Sequence, residues 1–373
     1  MTVPPTQSAT SDATARSRVM FAAAHVVADP AVPQGPDTPA AVDWDATLAF
    51  RRHLWSLGLG VADAMDTAQR GAGLDWPAAR KLIARCGAEA RAVGGLLACG
   101  AGTDQLDPAE EPTIARIVAA YEQQIEVVED AGAQVVLMAS RALAAIARGP
   151  EAGAVYAEVY GRLLPQLRQP AILHWLGTPF DPALEGYWGS PDLDVAAARL
   201  LGIIRAHAAQ VDGVKVSLLD SAREIAIRRA LPAGVRLYTG DDFHYPELIK
   251  GDEHGFSHAL LGIFDPIAAQ AAAALAVLDQ GDTAAFDAIL GPTVPLSRHL
   301  FSAPTSRYKT GVVFLAYLAG HQDHFTMIAG AQRNRSTEHL AELHRLAQQA
   351  NILPDPELAR DRMNKILTDG GHS

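Results

Sequence analysis

Lysine is scarce in this chain. Only five of its 31 basic residues are lysines (Lys81, Lys215, Lys250, Lys309 and Lys365), and the rest are arginines. Cysteine is scarcer still: Cys86 and Cys99 are too few for a disulfide scaffold or a zinc-finger array. Positive charge is in deficit, with 31 Lys and Arg against 42 Asp and Glu and a formal net charge of -11. That balance argues against a nucleic-acid partner and against a basic membrane-surface protein. No window reaches the roughly 20 uninterrupted apolar residues that a membrane-spanning helix needs. Arg16 and Arg18 do precede an apolar run over 19–28, but His25 interrupts it and Asp29-Pro30 follows where a signal peptide has small residues. The run reads as a first β-strand, and a cytoplasmic location is expected. Residues 1–15, rich in Pro, Thr, Ser and Ala, read as a loose tail.

What the 373 residues do contain is apolar material, 49% of the chain, enough to fill a sizeable core. Short apolar runs at 18–27, 58–64, 94–99, 134–139, 171–175, 213–218, 235–239 and 257–263 read as strands. Amphipathic stretches such as 46–57, 76–92, 110–130 and 194–209 lie between them and read as helices. Eight strands, each followed by a helix, predict an α/β fold: a parallel sheet closed into a (β/α)8 TIM barrel over 16–268. An open doubly wound sheet would carry a Gly-rich phosphate loop after the first strand, and this chain has none there. Beyond residue 268 the pattern turns helical, at 267–279, 282–290, 308–318, 337–349 and 356–367. A C-terminal helical extension over 269–373 is the expectation.

The segment Val211-Asp-Gly-Val-Lys-Val-Ser217 puts one of the rare lysines, Lys215, inside a short apolar strand. Burying an ammonium is costly, and desolvation lowers its pKa. A lysine pushed toward neutrality can attack a ketone or aldehyde, giving an iminium that accepts electrons from an adjacent bond. The alternative is a strand-end lysine that snorkels to solvent. The next strand ends in Tyr238-Thr-Gly-Asp-Asp242, at the face where barrel active sites assemble.

The order Gly213-Val-Lys215, then Tyr238-Thr-Gly-Asp-Asp242, then His254-Gly-Phe-Ser257 with Pro266 beyond resembles the dihydrodipicolinate synthase and N-acetylneuraminate lyase superfamily. Its members are class I aldolases on a (β/α)8 barrel with a C-terminal helical extension. Val42-Asp-Trp-Asp45 and Gln169-Pro-Ala-Ile-Leu-His-Trp175 extend the similarity upstream. The resemblance implies Lys215 as the Schiff-base lysine, with Gly240, Asp241 and Asp242 as the turn beside it. It also implies His254, Gly255 and Ser257 as a loop bordering the substrate. Two departures matter. Where the family carries Gly-Thr-Thr-Gly-Glu, this chain has Ala64-Met-Asp-Thr-Ala-Gln-Arg70, leaving Thr67 and an Asp66 that repels carboxylates. Where the family has a catalytic tyrosine after strand five, this chain has His174. The chain is similar to a divergent branch of the superfamily known only as a domain of unknown function.

Three functional readings follow. In the first, a lyase or dehydratase, Lys215 forms an iminium with a small-molecule carbonyl substrate of sugar-like, polyhydroxylated type, and His174 shuttles the proton because its ordinary pKa lies near working pH. Asp66, Asp241 and Asp242 accept from hydroxyls, Arg70 or Arg141 holds a carboxylate or phosphate, and Thr103 and Asp104 touch substrate. No cofactor is needed. In the second, His25, Asp241 and His244 hold Zn²⁺ or Mn²⁺ as a Lewis acid. In the third, the barrel binds a sugar acid without catalysis. The loop 176–190 reads equally as a lid or as an ordinary Pro/Gly surface loop. Lys309, at a helix start, reads as exposed or at an interface, and apolar C-terminal helices favour a homo-oligomer. The deciding observation is whether the Lys215 amine points into the barrel mouth beside His174 and the Gly240 turn.

Overall fold

The computed structural model of the chain describes residues 17–35 and 38–370; the expected tail over 1–15 lies outside them. Eight parallel strands close on themselves in sequence order: β1 (Met20–Ala23), β2 (Gly60–Asp63), β3 (Leu97–Ala101), β4 (Gln134–Leu137), β5 (Ala171–Leu176), β6 (Val211–Ser217), β7 (Arg236–Thr239) and β8 (His258–Leu261). The chain is a (β/α)8 TIM barrel with C-terminal helices. Each strand appears where the apolar runs put it; most are shorter than the run, while β3 and β5 end one or two residues later and β6 starts two residues earlier. Pairing fades just past Ala23: Ala24 N still donates to Ala62 O of β2 at 3.1 Å, but the His25 amide turns to the Asp265 carboxylate at 2.8 Å.

Alternation along the strands explains why these runs are apolar throughout. Phe21, Ala23, Ala62, Ala98, Val136, Ile172, Tyr238 and Leu260 fill the barrel interior. Their neighbours Ala22, Val61, Cys99, Val135, Leu173, Val214, Val216 and Leu261 pack outward against the helices. Aspartates start those helices. The Asp43 carboxylate accepts from Ala46 N at 3.0 Å ahead of the helix Trp44–Ser56, and Asp75 accepts from Ala78 N at 2.9 Å ahead of Trp76–Val93. The helix expected from 110 begins at Ile114, since Pro112 breaks the turn before it and the Thr113 hydroxyl caps it.

The C-terminal extension holds the helices Ala268–Leu278, Thr283–Leu290, Val294–Leu300, Tyr308–Leu318, Thr337–Gln349 and Pro356–Gly370. Every residue of Tyr308–Leu318 is buried. Val294–Leu300, Thr337–Gln349 and Pro356–Gly370 surround it, and its first turn meets the short turn Asp66–Ala68 after β2. The apolarity of this helix is therefore consumed within the chain, and no longer argues by itself for a partner subunit. The distal half of the loop after β5 is pinned by buried Tyr187 and Trp188, which pack with Tyr156 and Tyr160. No helix among the described residues is long and apolar enough to cross a membrane.

Candidate active site

Lys215 lies in the middle of β6, aligned with His174 on β5 and Tyr238 on β7. Its neighbours Val214 and Val216 face the helices, so the strand's pleat turns the Lys215 side chain inward. Ser217, two residues on, shares that face and the same small cavity. Lys215 is only 9% exposed, and among the described residues its amine has no hydrogen-bond or ion-pair partner. Burial lowers its pKa to about 8 against the opposing charges of Asp242 and Asp66. Gly240 makes room for the side chain. A Cβ there would stand 2.9 Å from Lys215 Cε and 2.2 Å from Ser217 Oγ, so no other residue fits without displacing the lysine.

Three groups face the amine across a cavity of about 20 Å³, the space of one water. Asp242, after β7, is buried; its carboxylate accepts from Ile263 N at 3.0 Å, and desolvation raises its pKa to about 7. A buried acid and a buried amine with nearby pKa values share a proton at little cost. Tyr308, at the start of its helix, hydrogen-bonds Thr67 Oγ1 at 2.8 Å through its hydroxyl, and burial keeps that phenol protonated. The third is His174, with Nε2 3.2 Å from Ser217 Oγ and Nδ1 without a partner.

Asp66 closes the site toward solvent. It forms a 2.9 Å ion pair with Lys309, which also donates to Ser306 O at 3.0 Å. The cavity opens toward a cleft of about 870 Å³, the two sharing Asp66, His174, Leu176 and Phe180 as walls. Phe180 approaches Tyr308 and Phe301 edge-on, with centroids 6.2 and 6.3 Å away. Beyond it Asp181 pairs with Arg141 at 2.6 Å. The first half of the β5 loop therefore covers the amine.

A buried lysine without a partner, inside a closed eight-stranded barrel and roofed by a C-terminal helix, is the arrangement to compare. The family model described as "Protein of unknown function (DUF993)" matches residues 2–371. The chain belongs to this family. No protein of curated function matches it in sequence. Among solved structures, the dihydrodipicolinate synthase from Oceanobacillus iheyensis is similar at 16% identity and a TM-score of 0.61, covering 90% of this chain and 97% of that one. The Aquifex aeolicus enzyme reaches a TM-score of 0.66 at 12% identity, over 90% of this chain and 99% of its own. The Thermotoga maritima enzyme gives 0.64 at 15% identity with the same coverage. The DUF993 chain thus has the dihydrodipicolinate synthase fold, as its motif order implied.

Within that fold the expected site residues separate into three sets. Lys215, His174, Asp66, Thr67 and Asp242 converge on the cavity. Arg70, Thr103, Asp104 and Arg141 line the cleft but are engaged. The buried Arg70 guanidinium donates to both Asp104 oxygens at 3.0 and 2.6 Å and to Gly100 O at 2.6 Å, tying the end of β2 to β3 rather than waiting for an anion. Thr103 Oγ1 is 2.7 Å from Ser140 Oγ. The third set is a correction. His254, Gly255 and Ser257 precede β8 and so sit at the opposite, N-terminal end of the barrel, where Ser257 donates to Glu224 at 2.8 Å. The motif order located the strand but not which end of it the loop caps.

Two further expectations change. His174 is a poor proton shuttle, because desolvation and then the Lys215 charge hold its pKa well below the ordinary imidazole value. The donors His25, Asp241 and His244 do not come together. His25 Nδ1 pairs with Asp265 at 2.8 Å, while Asp241 pairs with His244 at 3.0 Å and caps its own turn through Phe243 N and His244 N. Among the described residues no group of three or more His, Cys, Asp or Glu is placed to hold a metal ion. Burial pushes the Cys99 thiol well above its usual range, in keeping with a packing role. Sequence reasoning missed Tyr308 and read Lys309 as exposed or at an interface; Lys309 is instead buried and paired with Asp66, and both reach the mouth from more than two hundred residues beyond β2. It also missed Ser217, whose signal was the Lys-x-Ser spacing on one strand face.

Proposed function

We propose that this DUF993 protein is a class I, Schiff-base aldolase-type lyase or dehydratase that acts on a small keto or aldehyde compound through Lys215. The observation that carries the reading is the unpaired, buried Lys215 amine, with its pKa near 8, facing Asp242 at the catalytic end of the barrel. The amine adds to the substrate carbonyl carbon, and the resulting carbinolamine loses its hydroxyl as water when Asp242 or Tyr308 supplies a proton. In the iminium so formed, the bond one carbon away breaks and its electron pair moves toward nitrogen, leaving an enamine. Protonation of that enamine and hydrolysis return the free lysine. Asp242, with a pKa near 7, suits both the donor and the acceptor role at neutral pH. The Thr67–Tyr308 hydroxyl pair can relay a proton to or from the leaving fragment.

Of the acids expected to accept from sugar-like hydroxyls, Asp66 is bound to Lys309 and Asp241 to its own turn, which leaves Asp242 facing the cavity. The reading commits to the carbonyl and leaves the hydroxyls aside. No metal enters any of its steps. Borohydride reduction in the presence of a carbonyl compound should leave a covalent adduct on the tryptic peptide carrying Lys215, and Lys215→Ala should abolish it. An adduct that persists in the alanine variant, or that maps to Lys309, rejects the assignment.

A further inference from the structure

The cleft outside Phe180 is far larger than the cavity inside it, about 870 against 20 Å³. Pockets of roughly 300–1,000 Å³ hold ligands of drug size, and a three-carbon keto acid would leave most of this one to water. Its two long walls differ in chemistry. The barrel side sets apolar Leu106, Met138, Ala142 and Leu184 among ions that are already paired, such as Arg70 with Asp104 and Arg141 with Asp181. The wall from the C-terminal extension is polar and carries Ser306, Arg307 and Asn334.

Charge on that polar wall is uneven. The other cations of the cleft each have an acidic partner: Arg70 with Asp104, Arg116 with Glu110, Arg141 with Asp181, and Lys309 with Asp66. Arg307 is exposed and, among the described residues, has no ion-pair or hydrogen-bond partner for its side chain. The nearby Arg335 adds a second positive charge, its guanidinium bound only to backbone carbonyls, including Ser302 O at 2.6 Å. Its pKa is lowered by burial and by the charge of Arg307. No carboxylate is paired with either guanidinium, so this corner attracts anions.

We propose that the substrate of Lys215 is an elongated carbonyl compound with an apolar body that lies along Leu106, Met138 and Ala142 and an anionic group, remote from the carbonyl, that Arg307 receives. The inference rests on the Schiff-base reading and names its substrate class. The carbonyl end passes Phe180 to reach the amine, the body displaces water from those apolar side chains, and the distal charge fixes the orientation.

A series of ω-oxo carboxylic acids of increasing chain length, each with its neutral methyl ester, tests this on the full-length protein. Borohydride trapping on Lys215 should rise about tenfold or more from the shortest acid to an intermediate length. At that length the acid should be trapped about tenfold better than its ester. Arg307→Gln, an exposed position expected to leave the melting temperature unchanged, should abolish the acid-over-ester preference. Calorimetric binding of the corresponding alkyl carboxylate, which has no carbonyl, to the Lys215→Ala variant reads the cleft without the chemistry, and should weaken about tenfold with the added Arg307→Gln change. Trapping that ignores length, or an acid preference and carboxylate affinity that survive Arg307→Gln, overturns the inference and leaves Lys215 chemistry standing. Absence of any adduct, with carboxylate binding intact, rejects the Schiff-base reading instead.

Discussion

Two buried carboxyls flank the same stretch of barrel wall, and their fates differ. Asp242, inside, and Glu224, outside on the helix Ser221–Ala230, both have raised pKa values, to about 7 and about 8, because burial penalises the charged form. Glu224 is enclosed: Thr239 and Ser257 donate hydroxyl hydrogens to it at 2.9 and 2.8 Å, and it lines neither the cavity nor the cleft. Asp242 keeps one oxygen on the Ile263 amide and faces a cavity that holds an unpaired amine. A shifted pKa alone therefore does not mark a site. The shift becomes chemistry only where an exchange partner and an opening stand beside it.

The largest effect that would break this contrast comes from Asp242→Asn. Loss of the proton donor should slow trapping on Lys215 about 10²-fold at its plateau. The pH profile should move as well. Asp242 raises the lysine pKa, so without it the amine becomes neutral at lower pH, and the midpoint should fall below the wild-type value of about 8. A rate and midpoint unchanged by the substitution would put Asp242 on the same footing as Glu224.

Glu224→Gln should leave trapping unchanged and alter stability instead. The folded-state pKa of Glu224, about 8, lies above its ordinary value of 4.5. In the wild type, stability is thus lost as pH rises from about 4.5 through 8, when the unfolded chain ionises first. The glutamine variant escapes that loss, so its advantage in urea melts should grow across the same window, toward a ceiling of about 4–5 kcal/mol. A constant difference from pH 4 to 9 contradicts the buried, protonated assignment.

The smallest effect belongs to the exposed latch of the loop over the site. Arg141→Ala removes the ion pair to Asp181, whose arginine is 64% exposed, and should cost below about 1 kcal/mol of stability. Its readout is kinetic: trapping should become faster if the loop over Lys215 opens more often, and an unchanged rate means that Phe180, not the latch, holds the loop closed.

Much of this architecture is legible in the sequence. The eight strands are short and local, and their near-continuous apolar runs follow from burial on both faces, so pattern and turn residues locate them. Lys215 stood out because a lysine in such a run, in a chain that avoids lysine, has no cheap structural explanation. Gly240 and Asp242 followed from being at the end of the next strand. What was not legible needed the barrel to close. The helix start at Tyr308 and Lys309 carries no local mark of a site, and its two side chains become part of one only when the extension folds back over the turn after β2. His254, Gly255 and Ser257 were assigned to the wrong end because a motif read along the chain gives order without direction.

The sequence by itself determined the fold class and singled out Lys215, through periodicity, composition and spacing that act over a few residues, while the order of its motifs carried the resemblance to a family. Tertiary structure alone decided which acids remain free, which cations are already paired and which groups burial shifts toward neutrality. Electrostatic effects depend on distance and desolvation, and residues such as Asp66 and Lys309, at 2.9 Å, are adjacent only in the folded chain.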